Sequence, residues 1–295
     1  DSKTEHALNP LLYGFKVTDS GQPVLSGIRV YALDQNGFEV PNKSVNVSLQ
    51  QFQHKVVLPP GFLAEKDRIG LAIQVEDYFT KGGRTYGLFS AEVWTQNGGH
   101  FAFELDDLDF NDARYINTHH DFQYAQVSQK KFQKIFRSAA NPLTIYPYEG
   151  GGAFELPAQD SISFSIMLRD VNGNETQHQL WVCHPSAKSK SELSYTAQTH
   201  WLPTEKYQYV NGPWKVNIDS MTFFEPIKKS INLYANQLAS SKVQLARAVE
   251  IKYQLSDTTN AKSYVLTMNG AALSTRNNNG ELSAFSKSLG TFGVK

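Results

Sequence analysis

The densest set of chemistry-bearing residues in this 295-residue chain is Arg114-Tyr115-Ile116-Asn117-Thr118-His119-His120-Asp121. Two imidazoles and a carboxylate can ligate zinc or act as acid and base. Their spacing argues against both uses. Adjacent residues on a strand point to opposite faces, and a zinc pair needs i, i+2 on a strand or i, i+4 on a helix. The preferred reading is a structured loop. In it Arg114, Asn117 and Asp121 hydrogen-bond backbone groups, and one histidine packs between modules. Arg114, Tyr115, Asn117, His119, His120 and Asp121 are therefore candidates for an interaction or inter-module surface, with no catalytic and no metal-binding residue assigned.

Three other groups invite chemistry and are read as structure. Asp170-Val171-Asn172-Gly173-Asn174-Glu175 has the alternating oxygen donors of a calcium loop. It lacks the bidentate Glu that such a loop carries at its end, where Trp181 stands, so a turn between strands is expected. Asp106, Asp107 and Asp109 form an acidic trio expected as a solvated turn. Tyr146, Tyr148, Trp201, Tyr207, Tyr209 and Trp214 would stack on sugars if exposed, but aromatics are also the usual core of sandwiches. The single cysteine, Cys183, cannot make an intrachain disulfide or anchor a Cys-based zinc site. It reads as a small buried hydrophobe at a strand end.

The elements that must carry these residues are strands. Short stretches alternate apolar and polar residues between turns, as in Val24–Leu33, Arg68–Tyr78, Thr85–Trp94, Ser161–Arg169, Gln177–Val182, Trp214–Ile218 and Ala248–Leu255. Asn97-Gly98-Gly99 feeds His100–Leu105 as a hairpin. Phe122–Val127, Lys131–Phe136, Leu143–Tyr146, Ala153–Leu156 and Leu282–Val294 are read as further strands. Helical signals are confined to one turn within Asp109–His120 and another within Ser240–Ala248. Ile69–Tyr78, Lys81-Gly82-Gly83, Thr85–Trp94 echoes Ser163–Arg169, its Asp/Gly/Asn turn, Gln177–Val182. Each pair resembles the last two strands of an immunoglobulin-like sandwich. The expected fold is all-β, with tandem immunoglobulin/fibronectin-like β-sandwich modules and few short helices. The boundaries are a leading segment 1–21, a module 22–97, a second module 98–184, a polar linker 185–205 and a third module 206–295.

Charge and hydropathy bound the partners. Twenty-eight basic and twenty-eight acidic residues cancel, leaving no field to draw nucleic acid. No run of about 18 apolar residues exists, so no membrane-spanning segment is expected. Both ends read as cuts in a longer protein.

Asn9-Pro10-Leu11-Leu12-Tyr13-Gly14-Phe15 with Val30-Tyr31-Ala32-Leu33, and Phe110 to Phe122 including Arg114-Tyr115-Ile116-Asn117-Thr118-His119-His120-Asp121, carry a resemblance. They resemble the region that follows the catalytic domain in large lysostaphin-like (LytM-type) zinc metallopeptidases of Gram-negative envelopes. Leu289–Val294 resembles the point where a further sandwich would begin. That family takes zinc from a His-x-x-x-Asp motif and a His-x-His strand, and this chain has neither. No catalytic residue carries over, and zinc is expected only in an attached peptidase domain. The resemblance implies a periplasmic or outer-membrane-associated setting. The partners it implies are envelope proteins or an outer-membrane complex, with peptidoglycan nearby. A carbohydrate-binding module for glycan strands is the alternative, and a stand-alone hydrolase the third reading.

Overall fold

The computed structural model describes residues 6–14, 19, 21–50, 53–78, 85–148, 150–190, 195–232, 235–238, 243–259 and 263–295. The chain is all-β and divides into two compact units, Asp1–Ser194 and Tyr195–Lys295. No described helix is long and apolar enough to cross a membrane.

Unit 1 runs β1 (His6–Leu8), β2 (Val24–Leu33), β3 (Glu39–Val47), β4 (Gln53–Val57), β5 (Arg68–Tyr78), β6 (Thr85–Tyr86), β7 (Ser90–Thr95), β8 (His100–Glu104) and β9 (Asp107–Asp109). Helices α1 (Ile116–His119) and α2 (Phe122–Ser128) follow, then β10 (Gln133–Lys134), β11 (Asp160–Arg169) and β12 (Glu175–His184). One sheet has the order β10-β5-β2-β3, with β6 also on β5; the other has the order β4-β12-β11-β7-β8. Their facing sides close a core that includes Ile28, Val30, Leu71 and Ile73 from the first sheet and Phe164, Ile166, Leu180 and Val182 from the second. Phe154, bridged to Ile69 of the first sheet, meets Phe164 of the second ring to ring at 5.2 Å.

The first sheet is buried on its other face too. Tyr31, Leu33 and Ala72 pack there against Phe132 and Phe136. The large rings need small partners beneath them. A Cβ on Gly70 would lie 2.7 Å from Phe136, and one on Gly27 would lie 2.9 Å from Phe132. Burial of each ring stabilises the fold by about 1.5–3 kcal/mol.

This arrangement corrects the expected boundary at 97. Strands from both proposed modules share one sheet: β7 pairs with β11, and β4 pairs in parallel with β12. Asn97-Gly98-Gly99 is a hairpin turn inside that sheet, with Trp94 opposite His100. The internal echo fails for the same reason. β11 and β12 form a hairpin, but β5 and β7 lie in different sheets, because the chain crosses over between Tyr86 and Ser90. The Lys81-Gly82-Gly83 turn lies outside the described residues, as does the start of Ser240–Ala248, whose described part is not helical.

Three expected strands also differ. Phe122–Val127 is helix α2. Its aromatic and β-branched residues suit a strand, but the Asp121 carboxylate accepts from the Tyr124 N–H at 3.0 Å and caps a helix instead. Leu143–Tyr146 runs beside β8 through Glu104 N–H to Ile145 O at 2.8 Å without a ladder. Ala153–Leu156 keeps only the Phe154 bridge. The acidic trio is not a free turn: Asp107 and Asp109 belong to β9, which pairs with β1, and His6 sits 2.6 Å from Asp107.

Unit 2 contains β13 (His200–Trp201), β14 (Tyr207–Asn211), β15 (Trp214–Ile218), β16 (Ile227–Lys228), β17 (Ile231–Asn232) and β18 (Gln237–Leu238). It continues with β19 (Val249–Gln254), β20 (Leu266–Met268), β21 (Ala271–Ala272), β22 (Arg276–Asn278), β23 (Glu281–Ser286) and β24 (Gly290–Val294). Sheets β14-β15-β19-β23-β22 and β17-β18-β24-β20-β21 enclose one core holding Val216, Ile251 and Leu282 from one side and Leu266, Met268 and Phe292 from the other. Leu289–Val294 therefore starts no further sandwich; β24 is an interior strand between β18 and β20.

The expected linker 185–205 is corrected as well. Trp201 is fully buried, stacks on Phe223 at 5.5 Å, and donates its indole N–H to the Tyr209 hydroxyl at 2.8 Å. A fragment beginning at Tyr195 should thus fold more stably than one beginning at Lys206. The expected difference is about 3–5 kcal/mol, the usual cost of deleting a buried tryptophan, read from denaturant midpoints. Equal midpoints would return Trp201 to a linker.

Candidate functional site

Residues 113–121 fold as a 3-10 turn running into α1, so the helical turn expected within Asp109–His120 is present. The side chains do not form a surface. Arg114 is exposed and Asn117 is half-buried, but Tyr115, His119 and Asp121 are buried. The interaction-surface expectation is corrected for those three: they point inward, into unit 1.

Asp121 is the centre of a polar clasp. Its carboxylate caps α2 and accepts the Tyr31 hydroxyl at 2.5 Å. Arg29 Nε lies 3.6 Å from the same carboxylate and donates to the Tyr31 oxygen at 3.0 Å. The rest of the guanidinium donates to Asn46 at 2.9 Å and Ser44 at 2.6 Å, on β3. Its flat face covers the Tyr124 ring at 3.7 Å, a cation–π contact that holds α2 down. Burial, then the Glu39 and Asp121 carboxylates, pushes the Tyr31 hydroxyl far above its usual value. Tyr31 therefore stays a donor, and it cannot serve as a base.

The histidines diverge in role. His119 is fully buried, edge-on to Phe103 at 4.5 Å, with Nδ1 3.2 Å from the Tyr146 hydroxyl. Its Nε2 has no hydrogen-bond partner. Burial, then His120 and Lys134, holds its pKa well below the usual imidazole value. His120 turns Nδ1 to the Ile116 carbonyl at 3.1 Å. Neither ring meets a carboxylate in a ligand set. Among the described residues, three such donors converge in one place only: Asp19, Asp77 and Asp170, whose carboxylate oxygens lie within 4.8 Å of one another. Of these, only Asp170 carried a signal in the sequence. Its companions come from distant segments, and nothing in their local context sets them apart.

Of the six candidate sugar-stacking aromatics, Tyr146, Trp201 and Trp214 are buried, and Tyr207 and Tyr209 pack against the core of unit 2. Tyr148 is exposed. It meets His100 at 4.1 Å, and His100 stacks on Trp94 at 5.6 Å, which the sequence did not single out. Cys183 is half-buried at the end of β12.

Removing Asp121 strands the Arg29 charge in the interior. Asp121→Ala should cost about 3–5 kcal/mol, whereas Asp121→Asn, which keeps the cap and a polar partner, should cost less. Urea titration of both variants checks this, and a loss of only about 1 kcal/mol in Asp121→Ala, with none in Asp121→Asn, would reduce Asp121 to a helix cap. The histidines set a pH dependence. Unfolded, His119 takes a proton near 6.5; folded, it does not. Its contribution to stability is complete above that pH and is lost as pH falls below it. His54 and His120, both lowered chiefly by burial, act in the same direction. Unfolding midpoints of unit 1 should drop between pH 7 and 5, less steeply in His119→Leu. An unchanged slope in that variant would exclude His119 as a cause.

No family model, curated protein or solved structure matches the chain.

Proposed function

We propose that the chain is an accessory β-sandwich region of a LytM-type cell-envelope metallopeptidase or pseudo-peptidase. It works outside the cytoplasm, in the periplasm or at the outer membrane, by positioning the peptidase domain or docking on envelope partner proteins. The observation that supports this reading is the clasp around Asp121. Tyr31 and Asp121, from the segments that carry the family resemblance, are spent with Arg29 on holding α2 and the sheet together. The two histidines beside Asp121 are a buried neutral ring and a backbone-bonded one. Such residues fix a shape, and a shape is what a positioning module offers. Zinc belongs, on this reading, to the attached peptidase domain.

Glycan binding keeps one surface in its favour, the Trp94, His100 and Tyr148 ladder, with Tyr148 exposed to stack on a pyranose face.

Incubation with peptidoglycan and zinc tests the first reading. The chain alone should release no peptide fragments, and deleting it from a parent carrying an active peptidase domain should lower cell-wall turnover without abolishing hydrolysis of a small peptide substrate. Zinc-dependent release by the chain alone would sink the proposal. Titration with soluble peptidoglycan fragments separates the alternative: saturable binding lost in Tyr148→Ala would make the chain a glycan module.

A further inference from the structure

Asp19 precedes β2, Asp77 lies near the end of β5, and Asp170 opens the turn joining β11 to β12. The first two belong to the doubly buried sheet and its lead-in, the third to the sheet opposite. We propose that Asp19, Asp77 and Asp170 bind a divalent cation of the calcium class, which ties the two sheets of unit 1 together at one end. The proposal is independent of the envelope reading.

The cluster is built as well as acidic. Asp77 is only 2% exposed, and its Oδ1 has no hydrogen-bond partner. A buried carboxylate oxygen without a donor is costly unless something positive meets it. Among the described residues, no Lys, Arg or His forms an ion pair with any of the three aspartates. Asp170 is also buried, and its orientation is fixed. Oδ1 accepts the N–H groups of Asn172 and Asn174, both at 2.8 Å, and Oδ2 accepts the Asn174 carboxamide at 2.7 Å. Lone pairs remain on Oδ2 for a further partner.

Asp19 is held by its own turn, since Gly21 N–H donates to Oδ1 at 2.7 Å. Gly21 is required there: a Cβ would stand 2.2 Å from the Tyr78 carbonyl oxygen. That close approach brings Asp19 against the end of β5. Thr176 then donates to the Pro23 carbonyl at 2.9 Å, tying the same lead-in to β12.

The donor set selects the ion. Three carboxylates, with no nitrogen or sulfur, suit a hard cation. One oxygen from each carboxylate lies within 4.8 Å of the others, and a set drawn from three separate segments suits calcium's flexible oxygen shell better than magnesium's near-ideal octahedron. Asn172 Nδ2 donates to Asp19 Oδ2 at 3.5 Å, which helps to orient that carboxylate, and water would complete the shell. The calcium-loop pattern at Asp170–Glu175 thus lacks its terminal Glu in sequence and finds further carboxylates on β5 and in the lead-in to β2.

The chain, stripped with chelator, should be titrated with CaCl2 by calorimetry, with MgCl2 and an ionic-strength-matched NaCl series as controls. One site is expected, with Kd of about 10⁻⁵–10⁻³ M, and the thermal midpoint should rise with calcium. Asp77→Asn keeps the shape and removes one repelling charge. It should fold at least as stably as the native chain without calcium, yet bind calcium at least about tenfold more weakly, as should Asp19→Asn. Calcium uptake unaltered in Asp77→Asn overturns the proposal. So does the absence of heat and of any midpoint shift up to about 10 mM calcium, which would mean the cluster holds a shared proton. A shift reproduced by NaCl alone, or binding of magnesium in preference to calcium, overturns the calcium assignment.

Discussion

A sheet that packs one face on a second sheet ordinarily turns its other face to water. In unit 1 the sheet β10-β5-β2-β3 packs both. One side meets the sheet β4-β12-β11-β7-β8, and the other is roofed by α2 and the Phe132 and Phe136 rings. Burial on two sides restricts the middle of both strands, Ile28–Leu33 of β2 and Ile69–Ile73 of β5. Under the roof Gly27, Gly70 and Ala72 leave room for the rings, and any polar group there must bring a partner. Arg29 is the expensive case, and Asp121, Tyr31, Ser44, Asn46 and Tyr124 are all engaged in satisfying it. The helix cap, the ion pair and the cation–π contact are thus parts of one solution to one buried charge.

The strands of the sandwich were legible where only one face is buried. Ser161–Arg169 and Trp214–Ile218 alternate cleanly and stand as β11 and β15. Phe122–Val127 holds the aromatic and β-branched residues of a strand, while the decisive signal lies one residue earlier, in the capping carboxylate of Asp121. The partition into modules is not legible in sequence, because hairpin turns look the same within a sheet and between domains. Asn97-Gly98-Gly99 turns inside a sheet, while the crossover between Tyr86 and Ser90 is marked by the lone Gly87.

Site residues follow the same division. His119 and Asp121 stood out by type, but sequence could not say that both face inward, since that depends on Phe103, Tyr146 and Tyr31, all distant along the chain. Asp170 had a local pattern to mark it, whereas Asp19 and Asp77 gain meaning only from the fold that brings them together. Local motifs report local turns; a group assembled from three segments leaves no spacing to read.

The parallel pairing of β4 with β12 has a consequence for how the chain is made. Gln53 pairs with Gln179, and Val57 with Cys183. A parallel pair so far apart in sequence closes late, after most of the loop entropy has been lost elsewhere. During synthesis, β2, β3 and β5 emerge long before β11 and β12 exist to cover them. The growing chain therefore carries an apolar sheet face and an unpaired β4 edge for the time needed to translate more than half of unit 1. Such an intermediate is a natural client for a holding chaperone, and its exposure time is set by the order of the strands more than by the stability of the finished sandwich.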